Sequence, residues 1–209
     1  MAQQVSGIVG PQNYPKGSGS VAIPRLNNFG ETAVSEILPQ YAQTTLDGIS
    51  ISAANQAAQA VSVALATTYT GLLLYNPVGS GIIVVPKFIK FALSVAPAGI
   101  ATIGLIGGFA ATGGVTAQTT PLTKQVTLIG STKPSSAIAL SAATIVTPTW
   151  IEHIWDGFTA AAFPAPQTPY DCKGDIALLP GAFIAIGALT AITGLGSITW
   201  DELPLAPNS

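Results

Sequence analysis

The side chains best suited to catalysis lie close together in the last third of this 209-residue chain. They are Glu152, His153, Asp156, Asp171, Cys172 and Asp175. A thiol and an imidazole in contact can make a nucleophile. However, a chain with a single cysteine usually keeps it as an inert buried thiol, and a single histidine beside Trp and Glu is usually a surface or interface residue. We therefore expect no catalytic residue and no enzyme activity.

A calcium site is the second chemistry to consider, because calcium takes several oxygen ligands from loop carboxylates. The candidate ligands are Asp171, Asp175, Asp201 and Glu202. The sequence has no Asp-x-Asp-x-Asp-Gly loop, which favours a solvated loop and a charged strand end. One cysteine and one histidine exclude a cysteine-rich or multi-histidine zinc site, and the glycines between residues 99 and 108 match no phosphate-binding motif. The sequence thus predicts no metal and no cofactor.

The scarcity of charge is more informative than any of these residues. Seven Lys or Arg and nine Asp or Glu, 16 in all, make up 8% of the chain, against about 25% in an average soluble domain. Residues 48–86, 91–123 and 176–200 contain none of these four types. A free-standing domain needs surface charge to stay soluble and unassociated. The composition therefore predicts a surface covered by other chains or by lipid, while the net charge of −2 is too small to attract nucleic acid.

Two charge-free windows are long enough for a membrane helix, which needs about 20 apolar residues. Pro97 and several glycines interrupt the first window, Phe91–Ala111, and Pro180-Gly181 lies near the start of the second, Ile176–Trp200. These are turn signals, and the second window ends in strict apolar–polar alternation, which is typical of a strand. Strands are the favoured interpretation, and a small membrane protein is the alternative. We expect no secretory signal in the first 20 residues.

Apolar alternation and β-branched runs, separated by Gly, Pro and Asn, predict an all-β fold of about eight short strands. These strands fall at residues 61–65, 69–75, 82–95, 99–109, 123–129, 137–146, 182–191 and 197–203. Pro86 predicts a bulge or an edge, and Lys87 and Lys90 predict a solvent-exposed face beyond it. Residues 147–158 have helical spacing, with a strand nearly as well supported. Because no helical crossover separates the strands, the sequence favours an antiparallel jelly-roll-like sandwich.

The first 54 residues differ from the remainder in composition. Met1 to Gly30 is rich in Gly, Pro, Gln, Asn and Ser and has no apolar period, so it buries too little surface to fold alone. We predict an extended N-terminal arm and linker over residues 1–54 and the sandwich over residues 55–209. The arm would become ordered against neighbouring subunits, and a disordered tail is the alternative.

Three sequence blocks resemble small structural proteins of tailed bacteriophages. The blocks are LLLYNPVGSG, TPTWIEHIW and LLPGAFIAIGALTAITGLGSITWDELP. In that group an apolar strand leads into NP-x-GSG, and the C-terminus carries PPG-x-F/Y-x-x-I before TWEE-P. The matching residues are Asn76, Pro77, Gly79, Ser80, Gly81, Pro180, Gly181, Phe183, Ile186, Thr199, Trp200, Asp201, Glu202 and Pro204. Leu179 stands where the first of the two prolines is usual.

The resemblance covers roughly residues 55–204 and implies a virion protein with a jelly-roll-like body. It implies a capsid decoration (cement) protein, a homotrimer on the capsid surface, whose partner is the major capsid protein and which binds neither nucleic acid nor membrane. A tail, fibre or head-fibre component that contacts host glycans is the runner-up.

Aromatic side chains are the best candidates for contact with such partners, because Trp and Tyr dominate interface energetics. The alternative place for each of them is the core of the sandwich, where Trp200 is the clearest assignment. Apolar residues of the arm complete the predicted interface. It consists of Tyr14, Ile23, Leu26, Phe29, Trp150, Trp155, Phe163 and Tyr170.

Overall fold

Two antiparallel β-sheets make up most of the chain in a computed structural model, which describes residues 25–26, 32–33, 41–63, 65–158 and 169–205. The side chains of residues 25–26, 32–33 and 156–158 are outside this description. The chain divides into two units, residues 1–42 and 43–209. In the first unit, β1 (Arg25–Leu26) pairs with β2 (Thr32–Ala33). The predicted extended arm otherwise lies outside the described residues.

The described elements that follow are one short helix and twelve strands. They are α1 (Ala42–Leu46), β3 (Ser50–Ala54), β4 (Gln59–Val61), β5 (Thr68–Tyr75), β6 (Ile82–Val95), β7 (Ala101–Phe109), β8 (Val115–Ala117), β9 (Lys124–Val126), β10 (Ile138–Ile145), β11 (Thr149–Phe158), β12 (Tyr170–Asp171), β13 (Ala182–Ala188) and β14 (Ile192–Pro204). Sheet I has the order β11-β7-β13-β5-β10-β8. Sheet II has the order β12-β6-β14-β3-β9, and β4 also pairs with β14.

Eight of these strands follow the order of a jelly roll. In chain order they are β3, β5, β6, β7, β11, β12, β13 and β14. Numbered one to eight, they appear as 6-3-8-1 in sheet II and as 5-4-7-2 in sheet I, which is the double Greek key of the eight-stranded jelly roll. Strands β8 to β10 are inserted between the fourth and fifth and widen both sheets. The predicted all-β, jelly-roll-like sandwich is confirmed.

The core lies between the sheets, because alternate side chains of each strand point to opposite faces. Trp200 of β14 is fully buried in this core, as predicted. Sheet I contains a second buried cluster. Its residues alternate along each strand with those that face the core between the sheets, so this cluster lies on the opposite face of sheet I. It includes Leu73, Ile106, Leu140, Phe183 and Ala185. With both faces buried, the strands of sheet I are nearly continuous apolar runs, such as LLLY and FIAI.

The bulge predicted at Pro86 is present, but its effect on Lys87 was predicted wrongly. Thr199 of β14 pairs with Phe88, and Trp200 pairs with Pro86, so Lys87 is the extra residue. A bulge redirects side chains, and Lys87 is only 5% exposed. Lys90, three residues further along β6, is exposed as expected.

The sandwich begins before the predicted boundary between residues 54 and 55. Strand β3 lies inside sheet II, between β14 and β9, although its sequence SISAA has only one large apolar residue. The strand expected at 61–65 is limited to Gln59–Val61, with a single bridge from Val63 to Ala188. The strand expected at 123–129 is limited to Lys124–Val126.

Residues 149–158 form a strand with three irregularities, which explains their helix-like spacing. The register with β7 shifts after Trp150, after His153 and after Trp155. Each extra residue moves the next apolar side chain one position along, so the simple period of two is lost. Strand β7 accommodates the bulges with glycine, since a Cβ atom at Gly104 would overlap the carbonyl oxygen of Glu152.

Candidate interaction surfaces

The thiol of Cys172 is protected from reaction. Cys172 is 1% exposed, and its backbone N–H donates a hydrogen bond of 2.7 Å to the carbonyl of Lys87. Burial, and then the nearby carboxylates, raise the pKa of the thiol to about 12. A nucleophilic cysteine needs the opposite shift, because the thiolate is the reactive form. This geometry offers no activated nucleophile at Cys172.

The polar residues near Cys172 join the two sheets at one side of the sandwich. The hydroxyl of Tyr170 on β12 donates a hydrogen bond to the carboxylate of Glu152 on β11. These strands are the edges of sheets II and I. Burial, followed by this hydrogen bond and the charge of Glu152, raises the pKa of Tyr170. His153 is exposed, and its ring lies 4.9 Å from that of Trp150. The contacts support a structural role for this cluster.

Three of the predicted interface aromatics lie within the described side chains. Trp150, Trp155 and Tyr170 are all partly buried. Trp150 packs against the outer cluster of sheet I, while Trp155 and Tyr170 pack against the core between the sheets. Each therefore contributes to the fold and keeps part of its surface exposed. Tyr14, Ile23, Phe29, Phe163 and the side chain of Leu26 lie outside the description, and the interface assignment stays a prediction.

Two of the carboxylates considered for calcium, those of Asp201 and Glu202, have separate partners inside the protein. Asp201 accepts a hydrogen bond of 3.0 Å from the ammonium of Lys87, and this ion pair is buried. The same ammonium donates to Ser50 Oγ at 2.8 Å and to Thr44 Oγ1 at 3.0 Å. One lysine thus holds α1 and β3 against the bulge of β6. Among the described residues no group of three or more potential metal ligands comes together.

Glu202 organises the segment that precedes β10. Its carboxylate accepts hydrogen bonds from Ser135 Oγ at 2.5 Å, from the backbone N–H groups of Ser136 and Ala137, and from the Trp200 indole N–H at 3.1 Å. On the other side of this segment, Lys124 donates to two of its carbonyls. Burial lowers the pKa of Lys124, and the charge of Glu202 opposes that shift. Glu202 is therefore fully engaged inside the protein.

Two of the sequence blocks that carry the phage resemblance meet at one end of the sandwich. We call this end, where residues 76–81 join β5 to β6, the turn end. Asn76 is fully buried, and its groups bond to Ser80, Ile82, Leu178, Gly181 and Ala182 at 2.6–2.9 Å. Gly79 and Gly81 have φ values of 78° and 70°, which favour glycine. The motif is thus a turn stabilised by its own hydrogen bonds, and Asn76 connects β5 to β6 and to the start of β13.

The opposite end of the strands exposes aliphatic side chains on three neighbouring loops. We call it the loop end and define it by Val63, Leu65, Val95, Ile100 and Leu189, which are 39–68% exposed. Hydrogen bonds fasten these loops, including Leu189 N–H to the Thr102 carbonyl and Thr190 Oγ1 to the Ile100 carbonyl. Residues 48–86, 91–123 and 176–200 supply all three loops and contain no charged type. Exposed apolar groups without charge are typical of interaction sites.

The turn end also exposes apolar side chains, although charged residues stand beside them in the chain. Val78, Phe109 and Leu179 are 49–57% exposed. The exposed residues Lys173 and Asp175 lie six and four residues before Leu179. The two ends therefore differ in their polar surroundings more than in their apolar content.

A shallow, uncharged groove of about 380 Å³ with both polar and apolar lining lies on sheet II beside the pair β3–β9. Its lining residues are Ser52, Ala53, Ala54, Gln56, Thr123 and Gln125. Hydroxyl and amide groups of this kind form hydrogen bonds with neutral polar ligands such as sugars.

The loop end was missed by the sequence interpretation, which searched for aromatic residues. Ile100 and Leu189 fall near the ends of the predicted strands 99–109 and 182–191, and no interface role was predicted for them. A signal was available, because both stand next to Gly, Ala or Thr in segments that join two strands and carry no charge. Such positions favour exposure over burial.

The two charge-free windows that are long enough for a membrane helix form strands. Phe91–Ala111 contributes to β6 and β7, and Ile176–Trp200 contributes to β13 and β14. In the part of the chain that the structure describes, none of the helices has the length and apolar content to cross a membrane. Comparisons with protein-family models, curated proteins and solved structures found no match.

Proposed function

We propose that this chain is a structural virion protein that decorates the head of a tailed bacteriophage. It would bind the outer surface of the capsid and stabilise contacts between capsid subunits. The observation that carries the proposal is the pair of exposed, apolar ends on a rigid sandwich with only 16 charged side chains. A protein built to be covered by neighbours has little need of surface charge. The assignment to a phage rests on the resemblance of its turn and strand-end motifs to phage structural proteins.

The mechanism is passive clamping by a homotrimer. Each trimer sits where several copies of the major capsid protein meet and buries about 2,000 Å² or more of low-charge surface. Side-chain hydrogen bonds of Asn76, Lys87 and Glu202 fix neighbouring strands and loops to one another, which should limit the conformational entropy lost on binding. No chemical step is needed.

Copy number in the particle tests this proposal. Infected-cell lysate is separated on a density gradient, and the chain is quantified by mass spectrometry against the major capsid protein. We expect a stoichiometry near one chain per capsid subunit in the particle fraction. Recovery only in a membrane fraction, or absence from particles, would overturn the virion assignment.

A tail, fibre or head-fibre component is the second candidate, favoured by the uncharged groove beside β3 and β9. Its uncharged hydroxyl and amide groups suit hydroxyl-rich ligands, and glycans on a host surface are the matching class. This candidate predicts a handful of copies per particle. It also predicts glycan binding that Gln125→Ala weakens, whereas Thr116→Ala, an exposed change on β8 outside the groove lining, leaves binding unchanged.

A further inference from the structure

We infer that the loop end is the surface through which copies of this chain associate with one another. This inference rests on the proposed function in one respect, because it locates the contact between the copies of the proposed homotrimer. The contact between copies does not depend on whether the homotrimer binds a capsid. The surface consists of the five exposed aliphatic side chains defined above, with Ile100 the most exposed at 68%.

The polar groups of the loop end can be covered without a large penalty. Burying a hydroxyl or an N–H group costs free energy when it loses water without finding a partner. Here Thr190 Oγ1 already donates to the Ile100 carbonyl at 2.7 Å, and Ser94 Oγ donates to the Thr193 carbonyl at 3.1 Å. The Leu189 N–H is bonded to Thr102. A partner therefore has to cover mainly apolar groups.

The absence of charge from the three loops restricts the polarity of the partner surface. A charged group pressed against them would lose its water and gain no counter-charge from these loops, which is strongly unfavourable. The partner surface must therefore be apolar and uncharged as well. Another copy of the chain provides such a surface, namely its own loop end, and rotational symmetry brings identical patches together around an axis.

The turn end is a poorer surface for self-association. The exposed charged residues Lys173 and Asp175 stand close in sequence to its exposed Leu179. Contact there would remove water from these charges, which costs free energy unless each of them finds a partner in the interface. Of the two apolar ends, the loop end is the one that fits a second copy.

Light scattering on the purified full-length chain tests the inference. The wild type should have a mass well above the 21.1 kDa of one chain. The double variant Ile100→Asp with Leu189→Asp should have the mass of a monomer, with a dissociation constant raised at least about a hundredfold, because each copy would bury unpaired carboxylates. The matched control is Val78→Asp with Leu179→Asp, at residues 49% and 51% exposed at the turn end, and it should keep the wild-type mass.

Circular dichroism and thermal unfolding of every variant separate loss of association from loss of folding. If the aspartate variant does not fold, Ile100→Ser with Leu189→Ser removes the apolar surface without adding charge, and it should also dissociate. The inference is wrong if the wild type is monomeric, if a folded loop-end variant keeps the wild-type mass, or if the turn-end control dissociates equally. Copy number in particles tests the proposed function separately, since a monomeric chain can still decorate a capsid.

Discussion

The turn end and the loop end differ in what lies beneath their exposed side chains. Under the turn end are a buried ion pair and a buried asparagine whose side-chain groups are all bonded, Lys87–Asp201 and Asn76. Toward the loop end the buried polar residue is Asn55. Its Oδ1 accepts a hydrogen bond from Gly196 N–H at 3.2 Å, while its Nδ2 has no partner among the described residues. The turn end is held by more buried polar contacts than the loop end, so substitutions at the two ends should separate effects on stability from effects on the inferred association.

Breaking the buried ion pair should have the largest effect of any single change at the turn end. Asp201→Ala leaves the ammonium of Lys87 buried without its counter-charge, and we expect a loss of about 3–5 kcal/mol in the free energy of unfolding. The double change Lys87→Met with Asp201→Leu removes both charges and should recover most of that loss. Urea denaturation measures both. A loss below about 1 kcal/mol for Asp201→Ala would show that the pair is not buried as described.

The two buried asparagines provide a direct comparison of the two ends. Asn76→Ala leaves the carbonyls of Ile82 and Leu178 without their side-chain donor, at an expected cost of about 2–3 kcal/mol. Asn55→Ala removes one hydrogen bond together with an unpaired amide, so its cost should stay below about 1 kcal/mol. Denaturation midpoints at equal slope measure the difference. Equal costs would mean that the ends do not differ in this way.

Alkaline pH should weaken the fold. Burial raises the pKa of Cys172 from 9.0 to about 12 and also raises that of Tyr69. A raised pKa means that the unfolded chain loses the proton first, so the contribution of the thiol is present below pH 9 and is lost as pH rises toward 12, and that of Tyr69 begins to be lost above pH 10.0. Each group should lower the free energy of unfolding by up to about 1.4 kcal/mol per pH unit. Titrating stability in the wild type and in Cys172→Ala isolates the thiol, and identical slopes would contradict its assignment.

Salt should have the smallest effect, and only on association. The three loops of the loop end carry no charge, so screening has little to act on there. We expect the association constant to change by no more than about twofold between about 0.05 M and 0.5 M NaCl. Sedimentation equilibrium at several salt concentrations measures this. A tenfold weakening would place the contact on a charged surface instead.

Much of the fold could be predicted from the sequence, because the period of apolar residues is a local signal. The long strands β5, β6, β7 and β10 lie close to their predicted positions, and Trp200 is in the core. Strand β3 was missed because small and polar residues carry little period. Its place in sheet II depends on the partners β14 and β9.

The candidate surfaces were harder to predict, because they depend on bulges and on neighbouring loops. Periodicity placed Lys87 on a solvent-exposed face, yet the extra residue in β6 turns it toward Asp201. Likewise, Val63 and Ile100 become part of one patch only when strands far apart in the chain end side by side. Three-dimensional proximity of this kind has no counterpart in the spacing of residues along one segment.

The three bulges of β11 have a consequence for how large an assembly can become. A strand from another molecule recognises a sheet edge as an evenly spaced row of donors and acceptors. At the outer edge of sheet I, β11 breaks that spacing near Ile151, Ile154 and Asp156, so an incoming strand loses register within two or three residues. Open-ended growth of the sheet into fibres is blocked on that side. Together with the inferred association through the loop end, an edge that rejects added strands predicts closed complexes with a fixed number of copies.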